Sequence, residues 1–344
     1  MHGHVAFIPE VLPIAPPPIA GELISSWLLR VALANGLTLA QLVQGIEARF
    51  PEVLLRRAFV DDQLSPSARY ALAKFLRVTE KNVKALELGQ QFPILPSEWI
   101  LRSIDWDFGS PDRFVEGRAR YAFCPLCIQE MSRRTQTVWI RSEWAFVFQT
   151  HCNRHRTPLV ESCAICFVDD PLLPITNLPA SNGSLALASC WNCGSSLLFC
   201  DLESSASSMA VEIMCLESAI LAMVAGNSPE PPWSGQLCAK AFTEKLRILM
   251  QRLTTTTQDP LPLFVRIADA DPRLRHYLFG RQRPGMRIER LSWYWRFLLM
   301  IVLVRHLNSR EKTGVFYDLR VLTQLWCIAS TGVFCKTFLS KAFR

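Results

Sequence analysis

The chain has 344 residues, half of them hydrophobic, which suffices for two or three domains with buried cores. Its net charge is +7, and the basic excess lies after residue 205, where 19 Lys and Arg accompany 10 Asp and Glu. Such an excess in one segment is typical of proteins that bind a polyanion, usually nucleic acid, although it also serves solubility. Residues 1–18 contain five prolines and no Lys or Arg, so we expect no targeting signal, and the apolar run at 297–304 is too short to span a bilayer.

Two helices are predicted near the N-terminus, because apolar residues recur there at helical spacing. The first covers 22–34 and the second 39–49, with Thr38 as the cap of the second. A proline-rich lead-in at 9–20 precedes them and favours extended geometry. We interpret Trp27 as a core residue and Arg30 as a solvated one.

Residues 65–89 predict a pair of helices joined by a short turn. One helix is expected over 67–76 and the other over 80–88, with the turn at 77–79. Small and apolar residues stand where a helix-turn-helix requires them, although many helical hairpins share this pattern. Lys81 and Lys84 are expected on the exposed face of the second helix, where they are candidate DNA contacts.

The central region carries four pairs of cysteine or histidine, each with two residues between the partners. The pairs are Cys124 with Cys127, Cys152 with His155, Cys163 with Cys166, and Cys190 with Cys193. Each pair can hold one side of a tetrahedral zinc ion. The simplest interpretation is two consecutive sites, with three cysteines and a histidine in the first and four cysteines in the second. The alternative is a cross-brace that joins the first pair with the third.

Disulfides are the weaker hypothesis for these cysteines, because disulfide frameworks belong to small secreted domains. His151 is an alternative ligand beside Cys152, and Cys200 is a spare candidate. Two sites filled by four protein ligands are expected to be structural, since a catalytic zinc keeps one position open for water. The chain also has no His-Glu-x-x-His motif and no phosphate-binding loop, so a hydrolytic metalloenzyme is disfavoured.

Two further segments complete the pattern. Residues 138–148 alternate and are rich in aromatic residues, which predicts a strand or short hairpin behind the first site. After residue 205, helices are predicted at 211–224 and 235–253, and the run at 297–304 predicts a buried helix. Between them, arginines stand among aromatic residues, a composition that suits phosphate contact and equally a protein-binding surface. All candidate DNA contacts of the chain are Lys81, Lys84, Arg118, Arg120, Arg273, Arg275, Arg281, Arg283, Arg287 and Arg290.

The sequence thus predicts a mainly α protein of three domains. Residues 1–118 form an N-terminal helical domain with the helix-turn-helix. Residues 119–204 form a tandem zinc-binding domain, zinc-ribbon-like and with short β-hairpins. Residues 205–344 form a basic helical domain.

The order of these features resembles the TniQ family, the target-selection proteins of Tn7-like and mercury-resistance-type bacterial transposons. The resemblance covers about residues 12–200 and is carried by the proline-rich start, by the first three ligand pairs and by an N-terminal motif. That motif consists of Gly21, Glu22, Trp27 and Arg30.

The resemblance implies a non-catalytic adaptor of the bacterial cytoplasm that helps to select the insertion site. It implies zinc as cofactor, with Cys124, Cys127, Cys152, His155, Cys163 and Cys166 as ligands. The spacing of Cys190 and Cys193 indicates that they complete the second zinc site, so that two ions are expected per chain. The implied partners are duplex DNA and the transposon AAA+ ATPase, and in some relatives an RNA-guided CRISPR effector complex. A homodimer is also expected, and no association with a membrane is expected. The alternative function is a transcription regulator with a helix-turn-helix and zinc ribbons.

Overall fold

The computed structural model describes residues 12–53, 55, 61–101, 121–167, 188–190, 192–198, 208–227, 239–254, 262–272, 274–278 and 288–310. The chain divides into two compact units, 1–202 and 203–344. The described residues form helices and isolated β-bridges, with no β-strand among them. The mainly α prediction is therefore confirmed, while the division into three domains stays a prediction.

The first unit begins with an extended lead-in and a set of short helices. The helices are α1 (Ile24–Ala34), α2 (Leu39–Arg49), α3 (Pro66–Phe75), α4 (Glu80–Lys84), α5 (Leu88–Gln91) and α6 (Pro125–Thr135). Thr38 caps α2 as predicted, in a capping box with Gln41 that satisfies two backbone donors reciprocally. In the described part of the chain, no single helix is long and apolar enough to cross a membrane; only α1 and α2 counted together, across a bend of 96°, meet that test.

A buried ion pair at the start of α1 fastens the lead-in to the helix. Glu22 is fully buried, and its carboxylate accepts hydrogen bonds from Arg30 Nε at 2.8 Å and Arg30 Nη2 at 2.6 Å. Arg30 Nη2 also donates to the Pro17 carbonyl, and the Trp27 indole donates to the Pro16 carbonyl at 2.8 Å. Trp27 is a core residue as predicted. The prediction of a solvated Arg30 is wrong, because its side chain is only 4% exposed and answers a buried carboxylate.

The second predicted helical pair is a tight hairpin whose second helix is shorter than expected. α3 and α4 are joined through Arg77, which has a left-handed φ of 52°, and Thr79 caps α4. The segment expected as one helix over 80–88 is split into α4 and α5. The split arises because the backbone N–H groups of Leu88 and Gly89 donate to carbonyls of residues 61 and 62 instead of to the preceding turn.

The segment 138–148 does not pair with one neighbouring strand. It is extended to residue 141, alternates between buried and half-buried positions, and then forms a 3-10 turn at Ser142–Ala145. Its backbone bonds go to several places: Leu23 N–H donates to the Ile140 carbonyl, and Ile140 N–H donates to Ser26 Oγ at 2.9 Å. The predicted hairpin is therefore replaced by a link between α1 and the zinc-ligand region, because the hydrogen bonds of an isolated extended segment must be satisfied by whatever packs beside it.

The second unit is helical. Its helices are α7 (Ser208–Val224), α8 (Ala239–Thr254), α9 (Leu263–Ala270), α10 (Arg275–Leu278) and α11 (Trp293–Arg310). α11 packs against α7, α8 and α9. Residues 298–304 of α11 are all buried, which confirms the predicted buried helix. The interior also holds charge: Arg305 forms an ion pair with Asp271, and burial lowers the pKa of Arg305 and raises that of Glu212.

Candidate metal centres

The first cluster brings together Cys124, Cys127, Cys152 and His155, with one ligand atom of each within 4.8 Å of all the others. The His155 Nδ1 atom lies 3.4 Å from Cys124 Sγ, 3.3 Å from Cys127 Sγ and 3.6 Å from Cys152 Sγ. The three cysteines are buried and His155 is half-buried. Nδ1 is therefore the nitrogen that faces the ligand position, which leaves Nε2 for a contact outside the cluster.

The second cluster brings together Cys163, Cys166, Cys190 and Cys193 in the same way. Cys163 Sγ lies 3.7 Å from Cys193 Sγ, and Cys166 Sγ lies 3.7 Å from Cys190 Sγ. The ligand pairs are thus grouped consecutively, first with second and third with fourth, and not as a cross-brace. This cluster is the more accessible of the two, because Cys193 is exposed.

These distances fit a tetrahedral metal and not disulfides. Four ligands about 2.3 Å from a zinc ion are separated from one another by about 3.8 Å, slightly less where one ligand is nitrogen. The observed S···S separation of 3.6 Å between Cys127 and Cys152 matches that edge, whereas a disulfide requires about 2.05 Å. Two clusters that can each hold a metal ion are therefore present, with the chemistry of a structural zinc site: thiolate and imidazole ligands, four to an ion.

Two kinds of local structure deliver the ligands of the first cluster. Cys124 and Cys127 flank the start of α6, with Pro125 at its first position, where the missing N–H costs nothing. Cys152 and His155 lie on a tight turn in which the Cys152 N–H donates to the Thr157 carbonyl at 2.8 Å. A reciprocal pair of backbone bonds between Phe123 and Val160, both 2.8 Å, brings the two pieces together.

Single bridges stand where short β-hairpins are predicted. His151 pairs with Pro158 around one ligand turn, and Ser189 pairs with Ser196 around another. The hairpins are this short in the described residues because each carries only one ligand turn, and the shared metal can replace further strand pairing as the link between pieces. The zinc-ribbon classification stays a prediction.

The same ligand turn occurs three times, and one position in it is constrained. Residues 156, 167 and 194 each follow the first cysteine of their pair by four, and the N–H of each donates to the carbonyl of that cysteine. All three have left-handed φ, at 55° for Arg156, 58° for Phe167 and 72° for Gly194. Glycine adopts this region freely and other residues do so at a cost. Arg156 and Phe167 are nevertheless exposed, so they are not held there by burial.

Glu130 is a contributor that the ligand spacing did not reveal. It lies on α6, one turn beyond Cys127, and its carboxylate is 3.5 Å from His155 Nε2 and 2.7 Å from Arg154 Nη2. A carboxylate that accepts from the second nitrogen of a ligating histidine fixes the tautomer and the ring orientation. The three-residue spacing from Cys127 on a helix is the only sequence signal for this role, and it is too common to be specific.

The metal-free thiols have strongly shifted pKa values because they lie so close together. Hydrogen bonds from Cys127 and Cys152 lower the pKa of Cys124 to about 3, and hydrogen bonds with Cys124 and Cys152 raise the pKa of Cys127. In the second cluster, burial raises the pKa of Cys190 to about 12, and a hydrogen bond from Ser195 lowers that of Cys193 to about 6. The thiolate, the form that binds metal, is therefore most favoured at Cys124 in the first cluster and at Cys193 in the second.

The remaining candidates are dispersed. His151 is buried with its Nδ1 3.0 Å from Thr150 Oγ1 and does not belong to the cluster. Lys81 and Lys84 are exposed on α4 as predicted. Arg275 is exposed and donates to the Asp269 carbonyl at 3.1 Å, and Arg290 is half-buried. The other predicted positions lie outside the described residues; these are Arg118, Arg120, Arg273, Arg281, Arg283, Arg287 and Cys200.

Comparison with known proteins gives one family. Residues 13–159 match the model of the TniQ family, which confirms the resemblance over that part of the chain. The matched part includes the lead-in, the Glu22–Arg30 pair, the helical hairpin and the first metal cluster. No curated protein matches the chain.

Proposed function

We propose that this chain, which carries a TniQ domain at residues 13–159 and is thereby associated with Tn7-like transposition, is a non-catalytic accessory protein that selects the insertion site. It does so by binding target DNA or a targeting complex and by recruiting the AAA+ ATPase of the transposon. The bacterial cytoplasm is its proposed compartment, since its reducing conditions preserve the thiolates that zinc requires.

The observation that carries this proposal is that residues 13–159, the segment that matches the family, contain both the buried hydrogen-bond network of Glu22 and Arg30 and a complete set of four metal ligands. In the first cluster, protein side chains provide all four ligands of a tetrahedral ion. The carboxylate of Glu130, the nearby acidic group, contacts His155 and Arg154. This arrangement supports a structural metal, since hydrolysis requires an open position for water. The role proposed for the metal region is thus to fix the shape of a surface that binds a partner.

DNA contact by the helical hairpin is the second part of the proposal. Lys81 and Lys84 lie on the exposed side of α4, while Val83 between them is fully buried. The hairpin is stiffened because Arg69 on α3 holds Glu87 through two hydrogen bonds of 2.8 and 3.1 Å. A rigid hairpin that presents two lysines on one short helix supports docking of α4 against a DNA groove.

A transposition assay tests the proposed function. The chain would be supplied with the transposase and the AAA+ ATPase of its own element and a marked donor, and insertions would be mapped by sequencing. We expect insertions at the preferred site to disappear when the chain is omitted, and affinity-tagged chain to retain the ATPase. Unchanged frequency and position of insertions without the chain would refute the proposal.

A transcription regulator is the second candidate, because the hairpin with exposed lysines suits either role. The same cells can be used to distinguish a transcription regulator from a targeting factor. A regulator changes transcript levels near its binding site in the absence of transposase and ATPase, whereas a targeting factor changes only the position of insertions. Retention of an RNA-guided effector complex by the tagged chain would indicate indirect targeting. The mass of the purified chain in solution would show whether the chain dimerises.

A further inference from the structure

Four exposed arginines stand on the two segments that supply the ligands of the first metal cluster. They are Arg133 and Arg134 on α6 and Arg154 and Arg156 on the ligand turn, and together we call them the arginine face. All four side chains are exposed. None of them is among the residues that the sequence pattern singled out, because they are scattered over 24 positions and their common location arises only on folding.

Glu130 links the two halves of this face. Its carboxylate accepts from Arg154 Nη2 at 2.7 Å, so the ligand turn lies directly beside α6 at that point. Arg133 and Arg134 follow Glu130 by three and four residues on the same helix, which makes them its surface neighbours. Arg156 is two residues beyond Arg154 on the turn. The Arg154–Glu130 contact thus joins the two segments that carry the four guanidinium groups.

The composition of the region favours arginine over lysine. Residues 121–205 contain five arginines and no lysine, together with seven Asp and Glu. Of the acidic residues described there, Glu143 is paired with Arg141, Glu130 with Arg154, and Glu161 follows the ligand turn. Against the single carboxylate of Glu130, the face carries four guanidinium groups. Arginine presents a planar fork of donors that matches phosphate oxygens, which makes a set of arginines better suited to a phosphate backbone than a general solubilising surface would need.

Arg156 occupies the left-handed position of the ligand turn, where the second and third copies of the turn have Phe167 and Gly194. Phe167 is exposed as well, so this conformation is a property of the turn and does not by itself indicate a role for Arg156. The contribution of Arg156 to the face is its exposed guanidinium group, two residues from Arg154.

We propose that the arginine face binds the phosphate backbone of duplex DNA. This inference rests on the proposed function in taking DNA as the ligand, and adds a contact surface to the one on α4. Because phosphate contacts are independent of sequence, the face would position the chain on DNA while other residues select the site.

The test is a salt titration of duplex DNA binding by the zinc-loaded full chain, on two unrelated sequences. The variant is R133Q/R134Q/R156G, in which glycine removes the charge at 156 and also relieves the left-handed backbone. The matched controls are F167G, which relieves the same backbone position in the second cluster without changing charge, and R252Q, which removes a charge from an exposed position on α8. Zinc content and the denaturation midpoint of each variant verify folding.

We expect the dependence of log affinity on log salt to fall by about two to three units in the triple variant, roughly one for each phosphate that is no longer neutralised, and equally on both sequences. F167G is expected to leave the slope unchanged. R252Q is expected to change the slope by less than about one unit, the change that corresponds to one phosphate contact. An unchanged slope in a folded, zinc-loaded triple variant overturns the inference, as does loss of duplex RNA or ATPase binding with DNA binding intact. Failure of the unmodified chain to bind DNA would instead count against the DNA part of the proposed function.

Discussion

At the residue scale, the buried pair of Glu22 and Arg30 explains why these residue types stand at the start of α1. Glu22 has no exposed surface, and its carboxylate also accepts from Ser26 Oγ at 2.8 Å and from the Ile19 N–H at 3.2 Å. Ser26 in turn accepts from Ile140, so one carboxylate organises the lead-in, the helix and the segment before the second ligand pair. Its charge is tolerated because each contact offsets part of the cost of burial.

Removing one partner is therefore expected to cost more than removing both. Arg30→Met leaves Glu22 buried without its counter-charge, and we expect a loss of about 3–5 kcal/mol in the free energy of unfolding. The double variant Glu22→Gln, Arg30→Met should recover part of this loss. Denaturant unfolding followed by tryptophan fluorescence measures both, and a double variant less stable than Arg30→Met would contradict the explanation.

The second prediction at this scale concerns Glu130. Glu130→Ala should lower the zinc affinity of the first cluster by about 10–100-fold, because His155 loses the group that orients it. Glu130→Gln, which still accepts a hydrogen bond through its amide oxygen, should lose less. Competition with a coloured chelator resolves the two clusters, and the second should be unaffected. Equal affinity in Glu130→Ala and the unmodified chain would show that the carboxylate has no positioning role.

At the element scale, hydrogen bonds from outside the helical hairpin decide its form. The apolar spacing at 80–88 is compatible with one continuous helix, yet Asp61 and Asp62 take the backbone donors of Leu88 and Gly89 and end α4 early. The consequence is a short, five-residue helix with Lys81 and Lys84 exposed on it. A short helix limits the number of side chains that can reach one groove, so contact through α4 depends on few residues.

Lys81→Gln with Lys84→Gln should therefore reduce duplex DNA affinity and lower the salt slope by about two units, without loss of stability, because both side chains are exposed. Lys240→Gln, at an exposed position of α8, is the matched control. Binding is measured by fluorescence anisotropy at several salt concentrations. Retained affinity and slope would show that the hairpin is only a structural element.

At the scale of the whole molecule, the metal clusters belong to one of the two compact units. Both lie within residues 1–202, and no further group of candidate ligands occurs among the described residues. The helices of the second unit have a core of their own around α11. Metal removal should thus act unevenly along the chain.

We expect two zinc ions per chain, measured by elemental analysis of purified protein. Chelation should destabilise the first unit, because structural zinc contributes folding energy directly, while the helices of the second unit persist. Limited proteolysis with mass mapping locates the change. One ion per chain would remove one cluster from this description, and equal cleavage in both units would contradict their independence.

Acidification should release the ions in order. Zinc binds thiolates, so protons compete with the ion for every cysteine as the pH falls. The second cluster should release its ion first, because its Cys193 is exposed and its Cys166 half-buried, whereas the three cysteines of the first cluster are buried. Zinc release followed by a coloured indicator, compared between Cys193→Ser and the unmodified chain, checks the order. Simultaneous release would contradict it.

The sequence by itself determined the features that depend on neighbouring residues. The gap of two residues within each ligand pair and the cap of Thr38 on α2 need only local geometry, and both are found in the structure as expected. The match of residues 13–159 to the TniQ family was also accessible from sequence, because its motifs are short segments in a fixed order.

Only the tertiary structure decided which residues meet across the chain. Arginine is a residue type that usually lies at the surface, yet Arg30 is buried because it pairs with Glu22, a buried carboxylate eight residues earlier. The end of α4 depends on carbonyls at 61 and 62, and the role of Glu130 depends on a histidine 25 positions away. Likewise, Arg154 lies beside α6 only because folding brings the ligand turn to that helix, where Arg154 contacts Glu130. Spacing specifies a local turn, but the partners of a buried charge or a backbone donor are chosen by packing between segments that are distant in sequence.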